Sequence, residues 1–159
     1  MGSMKRLIVE EVASILSQGL PWLRKVNYET IRVGIAGFLP HEIPCIQIID
    51  QVNVRDAEKN RDENTWILLL QLILKSKRND EVNQGILFDR MDDIIRLIGD
   101  NTVLNITPTT PGDSFIQLRS IAEATDIHSE NPFFLGEITL ESKFYTATRG
   151  PCGPLGRQL

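Results

Sequence analysis

Few side chains able to carry covalent or acid–base chemistry occur in this chain, and they are scattered. Histidine occurs only as His41 and His128, and cysteine only as Cys45 and Cys152. A nucleophilic centre needs a Ser or Cys beside a base that an acid orients in turn. Cys45, with His41 just upstream, comes nearest to that arrangement. Cys45 follows Pro44 at the start of an apolar pattern, where a small thiol usually packs as a hydrophobe. Neither histidine is followed by a second ligand at metal-site spacing, so no metal centre is expected. The acidic pairs Asp92–Asp93 and Asp62–Glu63 are sequence neighbours whose side chains diverge rather than converge on one substrate, so solvated faces explain them. Gly34-Ile-Ala-Gly37 lacks the Lys and Ser/Thr of a phosphate loop and runs into Pro40 rather than a helix, so no nucleotide site is expected. Asn105-Ile-Thr107 has the spacing of a glycosylation acceptor, but without a secretory leader it is a chance match. The chain is therefore read as a non-enzyme with no cofactor, whose surfaces do the work. An enzymatic alternative would rest on Cys45 and His41 alone.

Composition agrees with that reading. A chain of 159 residues, 42% hydrophobic and 24% charged, is long enough to bury one core in one ordinary domain. Its net charge of -4 argues against a protein that grips nucleic acid by neutralising phosphates. The two cysteines form no CxxC pair, so reduced thiols in a cytosolic setting are expected. No basic segment with an apolar run and a small-residue cleavage site opens the chain. Met1, Gly2 and Ser3 precede a second methionine and read as a cloning remnant, which makes Met4 the expected natural start. The longest apolar run, Trp66 to Leu74, is about half of what a membrane-spanning helix needs.

The elements that must position these surfaces follow from periodicity. Ile8, Val12, Ile15 and Leu16 share one side of a helix over 5–18, with Gly19 and Pro21 ending it. Trp22 and Leu23 are expected to pack back on that helix, and Ile31 and Val33 suggest a short strand. Residues 34–44 read as loop. Ile46, Ile48, Val52 and Val54 are assigned to one face of a strand, with a bulge or an edge between Ile49 and Gln51. A second strand, Thr65 to Lys75, is apolar on both faces and should be central and covered on both sides. Between the two strands, Arg55–Asn64 carries Arg55, Lys59 and Arg61 against Asp56, Glu58, Asp62 and Glu63, and reads as a long solvated hairpin tip and a candidate contact device.

A second helix over 81–98 buries Leu87, Met91, Ile94, Ile95 and Ile98, capped by Asp80 and stopped by Gly99. Val103, Leu104 and Ile106 suggest a short extended piece. A strand over 114–125 places Ile116, Leu118, Ala122 and Ala124 on one face. The last strand, 133–148, alternates Ile138, Leu140 and Phe144 with Glu137, Thr139, Glu141, Lys143 and Tyr145. The fold class is therefore α+β, a mainly antiparallel sheet of about four or five strands with two principal helices packed on it. One domain spans 4–148, followed by a flexible Gly/Pro-rich arm over 149–159.

The segments Pro44-Cys-Ile-Gln-Ile-Ile49, Thr65-Trp-Ile-Leu-Leu-Leu70, Asp93-Ile-Ile-Arg-Leu-Ile98 and Gly136-Glu-Ile-Thr-Leu-Glu-Ser-Lys-Phe-Tyr145, in this order of elements, resemble the tail terminator or tail completion proteins of tailed bacteriophages. The resemblance covers roughly residues 5–148, and neither 24–44 nor the Gly/Pro tail belongs to its pattern. It implies a structural virion protein at the head–tail joint, assembled in the host cytoplasm. Such a subunit forms a hexameric ring on the last ring of tail tube protein and presents a surface to the head connector and neck. DNA would pass through the lumen without specific binding, which an acidic lining favours. Arg55, Lys59, Arg61, Asp62, Glu63 and Arg149 are the expected contact residues. A neck stopper or a baseplate adaptor shares the size, fold class and ring habit, and stays open as an alternative.

Overall fold

The computed structural model describes residues 4–29, 42–58, 61–77, 79–104, 106, 116–126 and 132–147. Their elements run α1 (Met4–Gly19), β1 (Lys25–Glu29), β2 (Cys45–Ala57), β3 (Arg61–Lys75), α2 (Asp80–Gly99), β4 (Gln117–Asp126) and β5 (Phe133–Ala147). The fold is α+β. The strands form one sheet in the order β1-β2-β3-β5-β4. Only β1 and β2 pair in parallel; the other three ladders are antiparallel.

Both helices lie on the same side of the sheet. α1 buries Ile8, Val9, Val12 and Leu16, and α2 buries Leu87, Met91, Ile94 and Ile98. They meet Ile46 and Ile48 of β2, Trp66 through Leu74 on alternate positions of β3, and Ile138, Leu140 and Phe144 of β5 in one core. Trp22 and Leu23 pack against that core as expected. On the opposite side a smaller cluster of Ile43, Cys45 and Ile73 gathers Phe133 and Leu135. The two-sided apolar pattern of β3 is thus matched by a central strand buried on both faces at its C-terminal end.

Several local expectations change. The helix cap is Asn79, not Asp80: Asn79 is extended, and its Oδ1 accepts a hydrogen bond from the Val82 amide at 3.1 Å, while Asp80 takes the first helical position. The early strand lies at Lys25–Glu29, and Ile31 and Val33 lie outside the described residues, as do Gly34–Gly37. Val103 forms an isolated bridge with Gln117, in keeping with a short extended piece there.

The face assignment in β2 is overturned. Its pairing with β3 shifts between Asp50 and Val52, so the expected bulge is present, and an extra residue in a strand of period two exchanges its faces. Ile46 and Ile48 point into the core, whereas Val52 and Val54 turn to the other side and are 51% and 53% exposed. The same device recurs in β4, whose register with β5 shifts between Ser120 and Ala122. Ile116 and Leu118 are buried, while Ala122 and Ala124 oppose Thr139 and Glu137, on the side away from the helices.

Candidate interaction surface

The charged stretch between β2 and β3 is not a long tip. Arg55, Asp56 and Ala57 pair with Asn64, Glu63 and Asp62, and the Glu58 amide donates to the Arg61 carbonyl at 2.8 Å to close a short turn. Backbone ladders need only extended residues with free amides and carbonyls, so charged side chains do not end them when they alternate between two wet faces. On its far side β3 continues to pair, Asp62 with Thr146, Glu63 with Tyr145 and Asn64 with Phe144. The outer halves of β2, β3 and β5 thereby form a three-stranded arm.

One buried amide fastens that arm. The Asn64 Oδ1 accepts from Asn53 Nδ2 at 3.0 Å and from Arg55 Nε at 3.1 Å. Its Nδ2 donates to Thr146 Oγ1 at 3.0 Å and to the Phe144 carbonyl at 3.4 Å. A fully buried amide costs free energy unless its donors and acceptors are used, and here one side chain uses both to link three strands. Just below it Trp66, also fully buried, donates from Nε1 to Asp50 at 2.8 Å and meets the Phe144 ring edge-on.

The opposite face of the arm carries an Arg–Tyr–Glu cluster. The Arg61 guanidinium lies 3.7 Å from the centroid of Tyr145, and its Nε is 3.3 Å from Glu58. The Tyr145 hydroxyl donates to Glu63 at 3.2 Å. Desolvation and that hydrogen bond push the phenol above its ordinary range, against the pull of Arg61. Stacked Arg and Tyr, already ordered, are the residue types that anchor protein interfaces.

Of the residues expected to make contacts, the fold brings Arg61 and Glu63 together on this face. Arg55 lies on the other face with Asn64, and Asp62 shares that face. Lys59, Arg149 and His41 lie outside the described residues. Tyr145 and Asn64 were not singled out from sequence. Tyr145 stood among the polar positions of an alternating strand, and Asn64 ended a stretch read as a solvated tip.

Cys45 is fully buried and free. Burial, and then the nearby Glu42 carboxylate, push its thiol up to about 12 against the opposing charge of Lys25. A thiol so rarely ionised, with no exposure, is a packing residue and not a nucleophile. Elsewhere, an open groove between the end of α1 and α2 is spanned by its own side chains: Trp22 Nε1 donates to Asp93 at 3.0 Å, and Arg90 lies over the Trp22 ring. Among the described residues no group of His, Cys, Asp and Glu is arranged to hold a metal ion, and no helix is long and apolar enough to cross a membrane.

The two sides of the sheet end differently. β1 covers β2 only from Cys45 to Ile49, so from Asp50 to Ala57 no strand among the described residues pairs with its outer edge. β4 closes the other side, and among the described residues its outer edge meets the bridge at Val103, held by the Leu118 amide's bond to the Thr102 carbonyl and the Leu104 amide's bond to the Ile116 carbonyl. Among solved structures the chain is similar to one in "Virion of native gene transfer agent (GTA) particle", with 7% identity over 85% of this chain and 84% of that chain and a TM-score of 0.43. At that score the likeness is loose and bears on neither residues nor role. No family model and no curated protein matches the chain.

Proposed function

We propose that the chain is a structural subunit of a phage-like virion, a tail terminator that caps the end of the tail tube and forms the interface with the head connector as a hexameric ring. The observation that carries this reading is a sheet whose two edges, among the described residues, are unpaired along Asp50–Ala57 of β2 and most of β4, together with the three-stranded arm. A subunit with two different open sides makes head-to-tail contacts, which close into a ring when the rotation between copies divides a full turn. The arm, braced by Asn64 and bearing Arg61, Tyr145 and Glu63 on one face, is rigid enough to meet a neighbouring ring above or below. Its charged residues, Arg55 and Asp62 among them, suit a polar contact that forms during assembly and is not buried beforehand. The order of elements adds the resemblance to tail terminators.

Light scattering over a concentration series, with and without purified tail tubes, tests the reading. A species near six times 18.0 kDa, and a cap of extra density on one end of the tubes by electron microscopy, are the expected results. A monomer at every concentration that leaves the tubes bare would overturn it.

A further inference from the structure

The two edges that no described strand covers fit each other. β2 and β4 run in opposite directions, since each successive ladder β2-β3, β3-β5 and β5-β4 is antiparallel. A second copy set beside the first in the same orientation therefore brings its β4 antiparallel to the β2 of its neighbour, the more stable of the two strand pairings. β1 blocks the first half of β2, so the incoming strand must slide toward the arm, and a sheet that closes on itself requires a stagger of this kind.

One register satisfies the side chains as well. With Asp56 opposite Arg119, Val54 falls opposite Ile121. Arg119 pairs across the ladder with Glu141, and Val54 with Thr65, so both lie on the face away from the helices; the bulge sets Ile121 together with Ala122 against Thr139, on that same face. Val54 and Ile121 are 53% and 45% exposed, an unusual cost for large apolar side chains on strand edges, which proteins ordinarily blunt with charge or cover. Arg119 beside them donates from Nε to Glu141 at 2.8 Å, and two-thirds of its side chain is still exposed.

We infer that successive copies of this chain join by antiparallel strand addition, the β4 edge of one copy on the Asp50–Ala57 edge of β2 in the next, with Ile121 against Val54 and Arg119 against Asp56. The inference rests on the ring reading and specifies its contact. The partner is thus a second copy of the chain, and the joined sheets make one continuous band around the assembly, with main-chain hydrogen bonds supplying affinity and the apolar and charged pairs fixing register.

The test is a full-length chain carrying Cys152→Ser with Val54→Cys and Ile121→Cys, oxidised mildly and run on a non-reducing gel beside each single-cysteine variant. The expected result is a covalent ladder that ends at the ring mass measured by light scattering and collapses on reduction, with no ladder from either single variant. A ring in solution without a ladder would overturn the edge contact and leave the ring. Neither ring nor ladder would overturn both. A ladder of no fixed size would uphold the edge contact and overturn the closed ring. Dimers from Ile121→Cys alone would overturn the edge contact in favour of β4 pairing with itself. Ile121→Lys, which leaves the core untouched, is expected to shift assembly to at least tenfold higher concentration with an unchanged circular dichroism spectrum, and unchanged assembly would count against the contact.

Discussion

At Cys45 the fold withdraws the one nucleophile that the sequence offered. A raised pKa means that the folded chain favours the neutral thiol. The stabilisation is complete below the ordinary value of 9.0 and is lost as pH rises toward about 12. Urea unfolding between about pH 9 and about pH 11 is therefore expected to lose up to ~1.4 kcal/mol per pH unit. Tyr28 and Tyr145 are also raised, so Cys45→Ala is the control: it should make the slope shallower, and an unchanged slope would remove Cys45 from the account. In a Cys152→Ser background an aromatic disulfide reagent should leave the folded chain unlabelled and react fully in denaturant. The packing role of Cys45 was legible from Pro44 before it and the apolar run after it. The shift of its thiol was not, because it comes first from complete burial in the fold, then from Glu42, with Lys25 opposing from the strand paired to Cys45.

Between elements, one close fit lies where β5 passes under α2. A Cβ added to Gly136 would lie 2.8 Å from Met91 Sδ and 2.9 Å from Leu87 Cδ1, and both side chains are buried in the core. Gly136→Ala is expected to destabilise the fold by about 1–2 kcal/mol through overpacking. Truncating Met91 opens the space, so Gly136→Ala with Met91→Ala should cost less than the sum of the single changes by about 0.5–2 kcal/mol in chemical denaturation; strict additivity would show that the strand had moved instead. The elements themselves were legible, since α1, α2, β3 and β5 carry long runs of one period. What sequence did not give was the face each strand half presents. Val52 and Val54 continue the parity of Ile46 and Ile48 along the chain, and only the ladder with β3 reveals the extra residue between them. The charged span 55–64 hides its ladder for a related reason, because polar side chains do not end a strand.

For the molecule as a whole, stability is unevenly distributed. The helices brace the inner halves of β2, β3 and β5, while the arm depends on its own ladders and on Asn64. Asn64→Ala should raise amide exchange in 53–57, 61–66 and 142–147 while leaving 68–74 protected, at a total cost of about 2–3 kcal/mol. Equal acceleration throughout would show that the arm and the core unfold as one. The arm as a surface was half legible: Arg55, Arg61, Asp62 and Glu63 stand out as charges, but Tyr145 and Asn64 acquire their roles only from partners 82 positions away in sequence, Glu63 and Thr146. The two bulges carry a last consequence for how such a chain can change over evolutionary time. Each works like a one-letter insertion in a message read two letters at a time. Removing Gln51 or Ile121 would take out the extra letter itself and leave every residue beyond it opposite its present partner, Val52 opposite Ile67 and Ala122 opposite Thr139. A single deletion is therefore absorbed most easily at the bulge, whereas one elsewhere in the strand half beyond it exchanges inside residues for outside ones.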